Sequence, residues 1–146
     1  TIDFGAKYKG YCSDMTRTFA VGKIGNKTMK EVYEVVLQAN LEAIKVVKPG
    51  IKLKEVDLAA RNYIESRGYG EYFTHSTGHG IGLLIHDELG VYLTSETIAK
   101  ENMVFTIEPG IYIPNLGGVR IEDDILVTSS GCEVLTTSNK KLTILK

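Results

Sequence analysis

The stretch Met103-Val104-Phe105-Thr106-Ile107-Glu108-Pro109-Gly110-Ile111-Tyr112-Ile113 is built for burial in a β-sheet, yet it carries a glutamate at its centre. β-Branched and aromatic residues dominate it, and such residues fit a pleated, covered surface. Val119 to Val127 is a second run of this kind, and Pro114-Asn115-Leu116-Gly117-Gly118 between them has the residues of a turn. A hairpin turning on Asn115 sets Glu108 opposite Glu122. Directly opposed side chains have Cβ atoms about 5 Å apart, so two carboxylates there repel unless a cation lies between them. An ionised carboxylate buried without partners is too costly to keep charged.

The amino-terminal residues 1–21 repeat this arrangement. Phe4, Tyr8, Tyr11, Phe19 and Val21 supply strand-forming bulk, and Lys7 to Gly10 supply a polar turn. With the turn centred between Tyr8 and Lys9, Asp3 falls opposite Asp14. One acidic residue in a strand is ordinarily a solvated one. Two opposed pairs on two hairpins point to metal instead.

All the histidines of the chain lie close together, as His75, His79 and His86 around Gly78-His79-Gly80-Ile81-Gly82. The glycines suit close backbone approach rather than a helix. This excludes a zinc site of the HExxH kind, which needs two histidines on one helical face. No GxGxxG or GxxxxGK[ST] pattern is present either, so the glycines are not a nucleotide loop.

Between the first hairpin and the histidines the period changes to that of helices. Met29, Val32, Val36, Ala39, Ala43 and Val47 follow helical spacing, Thr28-Met29-Lys30-Glu31 reads as a capping box, and Pro49-Gly50 ends the run. A second helix near Lys54 to Arg67 carries Val56, Ala59, Ala60, Tyr63 and Ile64 on one stripe, with Gly68 as a left-handed cap. Cys132 to Thr136 and Lys141 to Leu145 read as short closing strands. The expectation is one α+β domain over residues 1–146, two helices packed on a curved, mainly antiparallel sheet.

Composition narrows the function classes. A net charge of −1 from 17 basic and 18 acidic residues gives no field to gather nucleic acid or anionic membrane. No apolar run approaches the ~20 residues of a membrane span. Cys12 and Cys132 form no CxxC pair and read as reduced thiols of a cytoplasmic protein. Thr1-Ile2-Asp3-Phe4-Gly5 reads as the middle of a strand, so the chain is expected to be part of something longer.

Five motifs in order, Asp3-x-Gly5, Gly10-Tyr11-Cys12-Ser13-Asp14-Met15-Thr16-Arg17-Thr18-Phe19, Gly78-His79-Gly80-Ile81-Gly82-Leu83, Thr106-Ile107-Glu108-Pro109-Gly110 and Gly118-Val119-Arg120-Ile121-Glu122-Asp123, span almost the whole chain. Together they resemble the pita-bread (M24-type) metallopeptidases: methionine aminopeptidase, aminopeptidase P and prolidase. The Ser-Asp-Met-Thr-Arg-Thr-Phe wording is most similar to the Xaa-Pro peptidases of bacteria and archaea. The resemblance implies the carboxy-terminal part of a truncated pita-bread catalytic domain, with a homodimer in the full-length parent.

It also implies a ligand set for two divalent metal ions. Asp3 would hold one ion, Asp14 and Glu122 would bridge both, and His79 and Glu108 would complete the second. Such oxygen-rich ligation with one imidazole suits Mn²⁺ first, and also Co²⁺, Zn²⁺ or Fe²⁺. The implied reaction is hydrolysis between an amino-terminal residue and proline in a small peptide, by a hydroxide shared between the ions. Glu108 would carry the proton to the leaving nitrogen, His86 would bind the carbonyl oxygen, His75 would line the substrate site, and Arg120 would orient Glu122 or bind substrate. The family's His-Glu followed by proline is here His86-Asp87-Glu88-Leu89-Gly90, which puts the shape of that loop in question. Two rivals share the fold: a methionine aminopeptidase, and a non-catalytic binding module that has lost the ligands.

Overall fold

The computed structural model describes residues 1–146. Its first hairpin is broken into short pieces: β1 (Ile2–Phe4), β2 (Lys7–Tyr8), β3 (Tyr11–Cys12) and β4 (Met15–Arg17). Lys9 and Gly10 have φ of 50° and 91°. These are the two positive torsions of a type I′ turn, whose twist matches that of the strands it joins. The turn therefore centres between Lys9 and Gly10, one residue later than expected from the sequence. Asp3 pairs with Thr16, not with Asp14.

After β5 (Phe19–Val21) come helix α1 (Lys27–Val46) and helix α2 (Leu53–Ser66). The expected capping box is replaced by a simpler cap. Asn26 is the N-cap, its Oδ1 accepting from the Thr28 N–H at 2.8 Å, and Thr28 lies inside the first turn. An Asn side chain reaches the N–H two residues on without rearrangement, which leaves Thr28 no capping role. The α2 terminus is as expected: Gly68 has φ 79°, the Gly68 N–H donates to the Glu65 carbonyl, and the Tyr69 N–H donates to that of Ile64. This is the paired hydrogen-bond pattern of a glycine-terminated helix.

The main sheet follows, formed by β6 (Gly78–Gly80), β7 (Asp87–Val91), β8 (Val104–Ile107), β11 (Asp123–Val127) and β12 (Cys132–Val134). Its order is β12-β11-β8-β6-β7, and every neighbouring pair is antiparallel. The residues after His86 are thus a strand, β7, with an irregular register against β6 between His79 and Gly80. β9 (Gly110–Ile113) and β10 (Gly117–Arg120) extend β8 and β11 beyond the sheet as a hairpin. β13 (Thr143–Leu145) pairs in parallel with β5, the one parallel contact of the fold.

The helices cover one face of this sheet. Val32, Val36, Ala39 and Ala43 of α1 and Val56, Ala60 and Ile64 of α2 are fully buried together with Phe105, Ile107, Ile125 and Val127. At about 25 cal/mol per Å² of apolar surface, burying each such Val or Ile contributes roughly 1.5–3 kcal/mol before entropy is counted. Thr106 and Asp124, which alternate with these residues along β8 and β11, face the other side of the sheet.

Candidate metal centre

Glu108 and Glu122 lie where one long hairpin loses its ladder. Pairing runs from Val104↔Leu126 to Asp123↔Ile107 and resumes from Arg120↔Gly110 to Gly117↔Ile113 in the same register, as expected from a turn at Asn115. Between these stretches Pro109 has no N–H to give. The freed groups turn to other strands: the Glu108 N–H donates to the Thr77 carbonyl at 2.7 Å, and the Glu122 N–H to the Thr16 carbonyl at 3.1 Å. Each glutamate is thereby tied to a different neighbour, Glu108 to the histidine segment and Glu122 to the first hairpin.

Those same neighbours bring in the other groups. Side-chain oxygens of Asp14 and Glu122 and a ring nitrogen of His79 all lie within 4.8 Å of one another. His79 Nε2 is 3.4 Å from Glu108 Oε1 and 3.8 Å from Asp14 Oδ2. The other ring nitrogen, Nδ1, faces the Gly80 carbonyl at 3.1 Å, an oxygen that only accepts. Nδ1 therefore donates there, which leaves Nε2 as the ring nitrogen turned towards the carboxylates. Gly78 makes the placement possible, since a Cβ there would collide with the Thr106 carbonyl oxygen.

Hydroxyls hold the carboxylates. Thr16 Oγ1 donates to Glu122 Oε2 at 2.6 Å, and Thr106 Oγ1 to Glu108 Oε1 at 3.1 Å. The Asp14 N–H donates to Asp124 Oδ2 at 3.0 Å. Thr16, Thr106 and Asp124 were not singled out in the sequence, although Thr16 and Thr106 each lie within two residues of an expected ligand.

The electrostatics describe a crowded acidic pocket. Burial, then the charge of Glu108, pushes the Glu122 carboxyl up to about 8. Burial raises Glu108 to about 7, with Asp14 and Asp3 adding to it against the opposing Thr106 hydroxyl and Arg120 charge. Asp14 is raised by burial and then by Asp3. Groups that resist ionisation in this way are ready to exchange protons for a divalent cation. The donor set of carboxylate oxygens and one free imidazole nitrogen fits such an ion.

Asp3 borders this cluster beside Asp14. Its side chain is 49% exposed and takes a 2.6 Å hydrogen bond from Arg120 Nη2. Arg120 also donates from Nε to Thr16 Oγ1 at 3.1 Å and from Nη1 to the Tyr112 hydroxyl at 3.0 Å. Tyr112 in turn meets His75 Nε2 at 2.9 Å, while His75 Nδ1 faces the Ser76 carbonyl at 2.8 Å. Burial lowers the His75 pKa, which fits a neutral ring that donates from Nδ1 and accepts at Nε2. The ring of His86 lies 4.1 Å, centre to centre, from that of His79. It opens on a cleft of about 620 Å³ whose lining includes Ser13, Asp14, Leu84 and Ile85. Of the expected site residues, Asp14, His79, Glu108 and Glu122 converge in one cluster, Asp14 and His86 line the cleft, and Asp3, Arg120 and His75 join them through the Arg120 and Tyr112 hydrogen bonds.

Known proteins share this fold and much of this sequence. The profile of metallopeptidase family M24 matches residues 1–129. An Xaa-Pro dipeptidase from Bacillus anthracis superimposes with a TM-score of 0.95 at 57% identity, over 98% of this chain and 40% of that one. The Xaa-Pro dipeptidase of Pyrococcus horikoshii is 54% identical over 141 residues, 97% of this chain and 40% of its own length. An uncharacterised peptidase of Bacillus subtilis, YqhT, is 52% identical over 145 residues, 99% of this chain and 41% of its own length. The chain spans about two fifths of the length of the relatives it matches.

Proposed function

Since the chain belongs to metallopeptidase family M24, we propose that it carries the metal centre of a peptidase that releases an amino-terminal residue from in front of proline. The observation that carries the reading is the convergence of Asp14, His79, Glu108 and Glu122, in a chain over half identical to Xaa-Pro dipeptidases. The full-length protein acts on small peptides in the cytoplasm as a homodimer.

Asp14, Glu122, His79, Glu108 and Asp3 are the residues that would hold two divalent ions. Mn²⁺ is the ion that best suits four carboxylates and one imidazole. When bound, the ions supply Lewis acidity, polarising the scissile carbonyl and making water a nucleophile at neutral pH. Four carboxylates and two such ions leave the pocket close to neutral, which offsets the mutual repulsion that adds to burial in raising Glu108 and Glu122.

The remaining steps belong to the side chains. Glu108 takes the proton of the attacking water on its carboxylate and delivers it to the prolyl nitrogen as the C–N bond breaks. His86, exposed at the mouth of the cleft, donates to the carbonyl oxygen as negative charge develops there. His75, held neutral, packs beside the proline ring. Arg120 orients Glu122 through Thr16 and restrains Asp3.

The test is release of free amino acids from Ala-Pro and Met-Ala-Ser in the presence of Mn²⁺, with Asp14→Asn as the control. Release from Ala-Pro alone, abolished in the variant, is the expected result. Release from Met-Ala-Ser alone would replace the reading with that of a methionine aminopeptidase.

A further inference from the structure

An ion pair on the far side of the histidine segment, distant in sequence from every metal-centre residue, is connected to both Glu108 and His75. Asp57 and Arg61 are one turn apart on α2, with Arg61 Nε and Nη2 each 2.9 Å from an oxygen of the Asp57 carboxylate. Asp57 is fully buried. A side chain of this kind on an apolar helix face is costly to bury unless every oxygen finds a donor.

Both partners spend their remaining hydrogen bonds on residues 73–77. Asp57 Oδ1 accepts from Thr77 Oγ1 at 2.7 Å and from the Thr77 N–H at 3.3 Å. Arg61 Nη1 donates to the Phe73 carbonyl at 3.1 Å and Nη2 to the His75 carbonyl at 3.0 Å. The guanidinium also lies over the Phe73 ring, 4.3 Å from its centre, and Phe73 packs edge-on against the His75 ring. From Thr77 the contact continues inward, since its carbonyl is the acceptor for the Glu108 N–H at 2.7 Å. Thr77 itself is fully buried, and Gly78 and His79 follow it directly.

We propose that Asp57 and Arg61 are positioning residues for the metal centre, acting in two separable directions. Through Thr77, Asp57 fixes the backbone that presents His79 and anchors Glu108. Through the Phe73 and His75 carbonyls, Arg61 fixes the substrate-facing imidazole. The second direction rests on the peptidase reading. The first rests only on the metal-binding role of His79 and Glu108.

Partners outside the ligands of a metal site typically change affinity or activity by 10–100-fold when removed, which sets the scale of the test. Thr77→Val keeps the volume and the backbone N–H but removes the hydroxyl. It is expected to weaken Mn²⁺ binding, measured calorimetrically on the whole chain, by about tenfold. It is also expected to lower kcat on Ala-Pro by a similar factor, with KM little changed. Thr77→Ser, which restores the hydroxyl, should recover both. Arg61→Lys keeps the charge but cannot span two carbonyls. It should raise KM severalfold and shift the His75 ring resonances in the NMR spectrum of the metal-free chain, with Mn²⁺ affinity close to that of the parent.

A Thr77→Val chain, folded by circular dichroism, that binds Mn²⁺ as tightly as the parent would overturn the first direction. Unmoved His75 resonances in Arg61→Lys would overturn the second. Should the full-length protein release nothing from Ala-Pro, the peptidase reading fails, while the Mn²⁺ affinities still decide the positioning role.

Discussion

Two hairpins deliver the carboxylates, and they do so under opposite conditions. The β8–β11 hairpin, with its β9–β10 extension, is buried: Phe105, Ile107, Ile111, Val119, Ile121 and Ile125 are all at most 1% exposed. The β1–β4 hairpin is open, with Ile2, Phe4, Tyr8 and Tyr11 between 50% and 73% exposed. In the buried hairpin a one-residue slip would turn its apolar residues out of the core, so packing and turn together dictate which residues oppose. In the open hairpin only the β4 side is anchored, through buried Thr16 and Arg17 bonded to Glu122 and Asp123, and the type I′ turn at Lys9-Gly10 helps to set the exposed side against it. The deeper hairpin contributes its carboxylates at the floor of the site. The open one contributes Asp14 at the floor and leaves Asp3 at the rim, held by Arg120.

This contrast is open to direct challenge. The largest expected effect is on stability: Ile121→Ala in the buried hairpin should cost about 2–5 kcal/mol in urea unfolding, whereas Tyr11→Ala should stay within about 0.5 kcal/mol. Equal losses would mean that the open hairpin is packed as firmly as the buried one. Next comes the metal. Glu122→Ala should weaken Mn²⁺ binding by more than the roughly hundredfold reached when partners outside the ligands are removed, and Asp3→Ala by clearly less than Glu122→Ala. Calorimetric titration of the two variants checks the ranking, and the reverse order would place Asp3 at the heart of the site.

A smaller effect isolates the turn. Gly10→Ala forces a side chain into a left-handed conformation and should cost about 1–2 kcal/mol. Most of that loss should appear as faster amide exchange in residues 7–12, with the β8–β11 amides unchanged.

The smallest effect is one of pH in the metal-free chain. Glu108 and Glu122 have folded pKa values of about 7 and about 8, above the ordinary 4.5. Between these limits the native state holds protons that the unfolded chain has released, so stability falls as pH rises. His75, lowered by burial, acts in the opposite sense only as pH drops below its ordinary 6.5. Between pH 6.5 and 8 the Tm of the metal-free chain should therefore decline, and Mn²⁺ should flatten that slope by taking the place of the protons. A Tm that rises over the same interval would show that the two glutamates are not protonated in the native state.

Much of this structure was legible in the residues, and what was not has identifiable physical causes. Both helices follow from apolar spacing, because a stripe that must be buried has only one period available. The Glu108–Glu122 register follows from a symmetric turn about Asn115 flanked by strands with no alternative burial. A turn centred between Tyr8 and Lys9 opposes Asp3 to Asp14, but glycine suits the second central position of a type I′ turn, which moves the centre to between Lys9 and Gly10. The cap at Asn26 was missed because Thr28 offered an equally plausible hydroxyl two residues on. Asp57 does not figure in the apolar stripe of the second helix. Its position among Val56, Ala60 and Ile64, four residues before Arg61, was the available signal of a buried pair. Long-range hydrogen bonds such as Thr16 to Glu122 leave no periodic trace in a sequence and emerge only from the fold.

The central claim is that the acidic floor is a two-ion site, and calorimetric titration of the metal-free chain with Mn²⁺ at pH 7 in buffers of different ionisation enthalpy tests it most directly. The expected result is saturable binding of two ions per chain, with protons released as Glu108 and Glu122 ionise and both signals lost in Asp14→Asn. Binding without proton release, or binding that survives in Asp14→Asn, would contradict it.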